Sequence, residues 1–320
     1  MIVRIGYVAK SLNLPKVTAS STVTFSYYNK LSEEEKLNKL KKVTASNLED
    51  LKTIIHYNIK NNIHFYRLTS NLVPLATHPD VKNWDFFTIF KEEFKSIGKH
   101  INDNHMRVDT HPDQFNVINS HREEVFQNTK TNLQIQHNVL KHLNIKDPKM
   151  ILHIGGGVGG KEKAMERFVN QFKKLPDCIQ KNILLENDDK VYNVVDTLNL
   201  CNELNIPMVL DVHHHKCNGK SDIHLEQYIE KILLTWQYDN LPPKIHLSSP
   251  RDFLNDRKHS DYIAIDDFYD VIRLFKEYKK DFDIMLEAKQ KDLALFKLVK
   301  DIKRTEPSWQ WKDESTLNII

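Results

Sequence analysis

The sequence predicts an α/β fold, a single (β/α)8 barrel of the TIM type with a metal site at the C-terminal face of its strands. Three observations lead there. Eight short apolar runs recur along the 320 residues, each is followed by a segment with helical periodicity, and each finishes at or beside a side chain able to hold a cation or a phosphate. Strand and helix in strict alternation specify a parallel sheet, and eight units fit closure into a barrel better than an open doubly wound sheet. Side chains at one end of successive parallel strands converge in space, so these ends describe one site.

The apolar runs are 3–7, 64–68, 105–109, 150–153, 183–186, 208–211, 244–247 and 284–287, and on or just past their ends come Tyr7, Ser70, His111, His153, Glu186, Asp211, His246 and Glu287. Helical periodicity covers 32–60, 84–103, 122–143, 161–175, 191–204, 225–236, 266–279 and 292–303. Ser32 suits the N-cap of the first helix, with Glu34 and Glu35 complementing the dipole in its first turn. Three connections, 8–28, 69–82 and 248–263, are longer than a minimal link, and long loops at the C-terminal end of barrel strands are where a substrate groove is built. No flexible linker interrupts the pattern. One domain is therefore expected over 1–304, followed by a tail, 305–320, in which Trp309 and Trp311 pack on the barrel or fray.

Composition narrows the setting. With 40% hydrophobic and 28% charged residues and no apolar stretch near the roughly 20 residues a membrane span requires, no membrane partner is expected. Met1 to Ile5 enters a strand without the apolar core and cleavage site of a signal peptide, which implies a cytoplasmic protein. Cys178, Cys201 and Cys217 form no CxxC pair, excluding a disulfide framework and a thiolate zinc site. Lys and Arg total 46 against 43 acids, and this net charge of +3 permits a polyanionic partner without demanding one.

The candidate ligands are His111, His153, Glu186, Asp211, His214, His246, His259, Asp261 and Glu287. Imidazole and carboxylate without thiolate suit manganese or zinc, and bridging carboxylates let several cations share one pocket. Singly, each has an ordinary alternative as a hydrogen-bonded histidine or a helix cap. In the Asp211-Val212-His213-His214-His215 tract, Asp211 and His213 share a face if extended, and His214 rejoins Asp211 once the chain turns. Lys244 and His246 both point inward on an apolar strand, and a buried lysine must be paired, neutralised or modified. The stretch from Gly155 to Glu162 fits GxxxxGK, but Glu162 stands where a phosphate-binding loop needs Ser or Thr and its charge repels a nucleotide, so a tight turn is the better assignment. Basic and aromatic residues near the same loops, Arg67 and Phe115 among them, match what a phosphodiester and displaced bases require.

At these residues the chain resembles the UV damage endonuclease family. The resemblance spans the barrel through Ile5-Gly6-Tyr7, Arg67-Leu68-Thr69-Ser70, His78-Pro79, Val108-Asp109-Thr110-His111-Pro112-Asp113-Gln114-Phe115, Leu152-His153-Ile154-Gly155-Gly156, Leu185-Glu186-Asn187-Asp188, Asp211-Val212-His213-His214, Lys244-Ile245-His246-Leu247-Ser248 and Leu286-Glu287-Ala288-Lys289. It implies a barrel akin to endonuclease IV that holds up to three Mn2+ ions, with Zn2+ the alternative. Such a protein nicks damaged double-stranded DNA 5′ of a dipyrimidine photoproduct or abasic site, leaving 3′-hydroxyl and 5′-phosphate ends. The ligands implied fall into His111, His153 and Glu186; Glu186, Asp211, His246 and Glu287; and His214, His259 and Asp261. Catalytic roles are implied for Glu186, Lys244, Tyr7 and His78, Lys244 being a position carboxylated in the family. Substrate contacts are implied for Gln114, Phe115, Tyr7 and Arg67; Phe115 stands where the family usually has Tyr, which keeps the stacking plane and loses a hydroxyl. A monomer is expected. The rivals are a general abasic-site endonuclease, a xylose isomerase-like sugar isomerase and a metal-stabilised damage-binding module without catalysis.

Overall fold

A computed structural model describes residues 1–81, 84–219 and 223–319. Lys82, the last residue of the second long connection, lies outside them. Eight strands form the barrel: β1 (Ile2–Val8), β2 (Phe65–Leu68), β3 (Arg107–Thr110), β4 (Met150–His153), β5 (Ile183–Glu186), β6 (Met208–Asp211), β7 (Lys244–Leu247) and β8 (Phe282–Leu286). Each pairs in parallel with the next, β8 pairs with β1, and the pairing of Tyr7 with Tyr66 and Val8 with Arg67 closes the ring. The (β/α)8 expectation holds, and four strands, β4 to β7, have the predicted bounds.

The helices, in chain order, are α1 (Phe25–Tyr28), α2 (Glu33–Lys60), α3 (Phe86–Ile89), α4 (Lys91–Asp103), α5 (Glu123–His142), α6 (Lys161–Phe172), α7 (Asp177–Gln180), α8 (Val194–Leu204), α9 (Val212–Asn218), α10 (Ile229–Leu234), α11 (Ile265–Lys276) and α12 (Lys291–Thr305). Ser32 caps α2 as expected, in a reciprocal box in which its hydroxyl accepts from Glu35 N and Glu35 returns a bond to the Ser32 backbone. The segment predicted as one helix over 84–103 divides into α3 and α4 at Phe90. Among the described residues no helix is long and apolar enough to cross a membrane.

Strand periodicity decides where apolar and charged groups go. Outward positions such as Val3, Ile5, Leu152, Leu185, Leu210, Ile245 and Ile284 join the large core between strands and helices. Inside the barrel the apolar groups are few: Ile151, Leu184, Val209 and Trp236 in one cluster, Val8, Phe65 and Met285 in another. Gly6 also points inward, where an added Cβ would lie 2.4 Å from the Phe65 carbonyl oxygen, so no larger residue fits. The remaining inward positions carry charge. Arg4 holds Asp283 with Nε at 2.9 Å and Nη2 at 2.5 Å, and Arg107 Nη1 meets the same carboxylate at 2.7 Å. One layer up, Lys244 Nζ donates to Asp109 Oδ2 at 2.7 Å, with both side chains at most 1% exposed.

The tail neither frays nor forms a separate unit. It makes β9 (Gln310–Trp311) and β10 (Thr316–Asn318), and β10 runs antiparallel to the start of β1, placing Ile2 opposite Asn318 and Arg4 opposite Thr316. Because β2 is short and reaches only Tyr7 and Val8, the first half of that β1 edge would be left unpaired without β10.

Candidate metal centre

The inward parity of each strand delivers one candidate ligand to the C-terminal mouth. His153, Glu186 and Asp211 are the last residues of β4, β5 and β6; His246 is the penultimate residue of β7; His111 and Glu287 follow β3 and β8 directly. Glu186, 1% exposed, sits at the centre. Its Oε2 faces His111 Nε2 at 2.9 Å and His153 Nε2 at 3.7 Å, and its Oε1 faces His246 Nδ1 at 2.8 Å and His214 Nδ1 at 3.4 Å. Glu287 approaches the same cluster, with Oε1 3.3 Å from His246 Nδ1.

His214 arrives by a turn. α9 begins directly after β6, and Asp211 caps it by accepting from His214 N at 2.7 Å, which returns the imidazole to within 3.6 Å of Asp211 Oδ2. The same turn gives His213 a different, buried place, against the His259 ring with centroids 5.5 Å apart. Asn187 fixes the other side of the β6 end: its amide donates to Asp211 O and its Oδ1 accepts from Asp211 N, both at 2.9 Å.

Three imidazoles are oriented by backbone carbonyls. The Nδ1 atoms of His111, His214 and His259 lie 3.0, 2.9 and 2.8 Å from the carbonyl oxygens of Pro112, Asn187 and Glu287. A carbonyl only accepts, so each Nδ1 carries a proton and Nε2 is the ring atom left to ligate a cation once any proton on it is released.

The electrostatics point the same way. Burial opposes charge on Glu186, but His246, His153 and His111 outweigh it and hold the carboxyl well below the usual range. Glu287 is likewise depressed against the cost of burial, by Arg67 and His246. Asp211 goes the other way, pushed up to about 8 by burial; His214 offsets part of this, while Glu186 and Glu287 add to it. Burial works against a charged His214, yet Asp211, Glu186 and Glu287 raise it to about 9. Burial takes His246 down to about 4 despite its carboxylate neighbours. The cluster is thus short of positive charge, and protons fill the deficit.

Those residues fit divalent cations. Donor atoms of His111, His153 and Glu186, and of Glu186, Asp211 and His246, lie within 4.8 Å of one another. Asp211 Oδ2 and His246 Nε2 are buried with no hydrogen-bond partner among the described residues. An unpaired carboxylate oxygen and imidazole nitrogen are costly to bury unless something positive meets them.

The third expected group is more open. The His214 and His259 rings are 6.2 Å apart, and Asp261 is exposed, engaged through its backbone oxygen by Gln290 N at 3.0 Å. Tyr7, expected to touch substrate, is a correction. Its parity on β1 turns it outward, so it is fully buried and its hydroxyl donates to Asn58 Oδ1 on α2 at 2.6 Å, with no atom presented to the mouth. Arg67 faces inward but spends Nη1 on Glu287 Oε1 at 2.6 Å, which makes it a positioning group for that carboxylate. Burial lowers Lys244 to about 8, partly offset by Asp109, and a carbamate at that position would face the Asp109 carboxylate at hydrogen-bond distance. His78 is half-buried and stacked on Phe25 at 3.6 Å. Gln114 and Phe115 stand exposed just past His111, Phe115 by 76%, on a turn in which Asp113 Oδ1 accepts from Phe115 N.

The glycine-rich stretch is a turn, not a phosphate cradle. Gly155 has φ +111°, Asn119 and Tyr192 donate to Gly156 O, and Lys161 is paired with Asp196 at 2.6 Å. Asn187, bonded to the Asp211 backbone, and Asp109, paired with Lys244, are supporting positions that the sequence candidates omit, although counting back two from His111 puts Asp109 on the inward face. A cavity of about 470 Å³ lined by Lys149, Asn182, Pro207 and Tyr238 lies at the opposite, N-terminal end of the strands and contains none of the candidate ligands.

Comparison with known proteins places the chain in a family. The UV DNA damage endonuclease of Bacillus cereus strain B4264 is 40% identical over 303 residues, covering 94% of this chain and 95% of the relative. That of Bacillus mycoides strain KBAB4 is 41% identical over 300 residues, 93% and 94% of the two chains. The crystal structure of SacUVDE superposes with a TM-score of 0.83 at 33% identity over 95% of this chain and 99% of that one. Endonuclease IV from Thermus thermophilus shares the fold, with a TM-score of 0.56 at 12% identity over 79% and 94% of the chains. The family model for UV-endonuclease UvdE matches residues 3–310, and the chain belongs to that family of nucleases acting on DNA.

Proposed function

We propose that this protein hydrolyses the phosphodiester immediately 5′ of a lesion in double-stranded DNA, leaving a 3′-hydroxyl and a 5′-phosphate. The lesions are a cyclobutane pyrimidine dimer, a 6-4 photoproduct or an abasic site. Up to three manganese ions serve the site, zinc being the alternative, held by His111, His153, Glu186, Asp211, His214, His246, His259, Asp261 and Glu287. The observation that carries the reading is Glu186, a fully buried carboxylate with imidazoles on both oxygens, at the base of a mouth rimmed by the exposed Gln114-Phe115 pair. When bound, such cations stabilise the negative charge that develops on the phosphoryl and departing 3′ oxygens.

The chain's own groups hold, orient and probe. Glu186 fixes His111 and His246 from one point, Arg67 holds Glu287, and Lys244 anchors Asp109 in the layer beneath His246. Phe115 supplies a flat apolar face and Gln114 an amide that enter the duplex where a crosslinked or missing base stacks poorly, so that flipping costs less. His78, with its ring pinned on Phe25 and Nδ1 accepting from Asp80 N at 3.3 Å, keeps Nε2 for the lesion or the scissile phosphate. The catalytic unit is residues 1–304, acting as a monomer at the nucleoid, with 305–320 an accessory edge.

The test is incubation with end-labelled duplexes carrying a pyrimidine dimer, an abasic site or no lesion, with and without manganese. Manganese-dependent nicking 5′ of the dimer is expected. Cutting confined to the abasic duplex would favour a general abasic-site endonuclease, and no metal-dependent cutting of either would refute the reading.

A further inference from the structure

The connection from β7 to α11, residues 248–263, is long but built rigidly. An antiparallel bridge joins Pro250 to His259, with Arg251 N donating to Lys258 O at 2.9 Å and Ser260 N to Ser249 O at 2.8 Å. Inside the loop the buried Asp256 carboxylate accepts from Asp252 N at 3.2 Å and Lys258 N at 3.0 Å, and its own N–H donates to Phe253 O at 2.9 Å. The base is tied to the candidate metal centre by His259, whose Nδ1 donates to Glu287 O. This frame displays Phe253 and Leu254 side by side at its tip, 67% and 79% exposed.

Two adjacent large apolar side chains held in water by an ordered loop mark a docking surface rather than a scattered surface residue. The occupant is indicated by what surrounds them. Arg251, Arg257, Lys258 and Lys289 lie on or beside the loop; Arg251 and Arg257 are paired with Asp252 and Asp189, while Lys258 and Lys289 have no ion-pair partner among the described residues. The Asp256 charge is consumed inside the loop, and Asp261, an exposed carboxylate on the same loop, is one of the candidate metal ligands. An apolar tip with a cationic rim is the composition that inserts between base steps while its flanks meet phosphates. Position agrees, because β7 and β3 are four strands apart in either direction round the ring, so this tip stands across the mouth from Phe115.

We propose that Phe253 and Leu254 form a second apolar wedge, entering a groove of the duplex on the side of the mouth opposite Phe115. The duplex is then gripped at two points that flank the metal centre. This rests on the DNA-incision reading above and adds to it a division of labour. Phe115, four residues past His111, discriminates the lesion, whereas the Phe253-Leu254 tip holds duplex whether damaged or not. The loop is already ordered, so little conformational freedom is lost on binding.

The test is the double variant Phe253→Ser with Leu254→Ser, made in the full chain. Both side chains are exposed, so thermal melting should match the parent. Affinity for a dimer-containing duplex and for the undamaged duplex, read by fluorescence anisotropy with calcium in place of manganese, should each fall about tenfold, the scale of losing stacked apolar contacts. The incision rate at saturating enzyme should stay within about threefold of the parent. Affinities within about twofold of the parent on both duplexes would overturn the wedge, as would a parent dimer that the substitutions convert to monomer without change in DNA affinity, since the tip would then be a protein interface. A parent that binds and cuts while the variant binds equally well removes only the wedge. A parent that binds duplex without cutting removes the incision reading, and the anisotropy comparison still decides the wedge; a parent that binds no duplex overturns both.

Discussion

Lys244 offers the sharpest test of how the barrel interior is held together. Its ammonium meets Asp109 at 2.7 Å in a setting where neither side chain is more than 1% exposed, and Asp109 Oδ1 has no other partner among the described residues. Lys244→Met therefore strands a buried carboxylate, and removing one member of a buried pair costs about 3–5 kcal/mol. At about 2.1 cal/mol/K per residue, unfolding entropy for 320 residues is near 0.7 kcal/mol/K, so the melting temperature should fall by roughly 4–7 °C. Replacing both partners, Lys244→Met with Asp109→Leu, removes the stranded charge and should recover most of that loss. Calorimetry or melting followed by circular dichroism on the two single variants and the double completes the cycle. If the single substitution costs less than about 1 kcal/mol, or if the double variant is as unstable as the two singles added together, the pair is not the interior anchor inferred here. The pH dependence has a defined sign. A folded-state value near 8, below the unfolded lysine, means the folded protein binds fewer protons between pH 8 and about 10.4, so stability should rise across that window.

Other outcomes follow from the mouth. Glu186→Gln keeps the shape but removes the charge shared by His111 and His246, and should lower metal-dependent incision by at least about a hundredfold while binding to damaged duplex persists; incision near parental rates would remove Glu186 from the centre. Phe115→Ala should reduce the preference for damaged over undamaged duplex by about tenfold in competitive binding, because a 76% exposed ring contributes little to folding and much to stacking; an unchanged preference would refute its role as probe. In the metal-free protein Asp211 titrates near 8 and His214 near 9, and cations must displace those protons. Manganese affinity should therefore climb between pH 6 and 9, by about tenfold per pH unit for each proton released, as read by calorimetric titration in buffers of different ionisation enthalpy; a flat profile would contradict the charge balance described.

The barrel was legible because its signals are local and repeated. Met150 to His153, Ile183 to Glu186, Met208 to Asp211 and Lys244 to Leu247 are short apolar runs whose last inward residue is polar, a pattern that fixes both strand and site. Tyr7 was misplaced for an equally local reason. Val3, Ile5 and Tyr7 share one face of β1, and it is the opposite face, with Arg4, Gly6 and Val8, that looks into the barrel. Asn187 and the Arg4–Asp283–Arg107 network depend on contacts between distant segments, which periodicity does not encode. The division of 84–103 at Phe90 and the short α9 after Asp211 are set by tertiary packing and by a cap that competes with continued extension. The strands at 310–318 carry no apolar alternation of their own and form because β1 offers an unfilled edge.

That edge has a kinetic consequence. β1 makes only two residue pairings with its sequence neighbour β2 and completes the rest with Phe282–Leu286 and Thr316–Asn318. During synthesis the first strand must wait, most of its edges unpaired, until nearly all of the described chain has emerged. Ring closure is then a contact of very high sequence separation, the kind that slows folding and leaves an edge open to wrong partners. Truncation within 310–319 should therefore burden the efficiency of folding in the cell more than the chemistry of the finished enzyme.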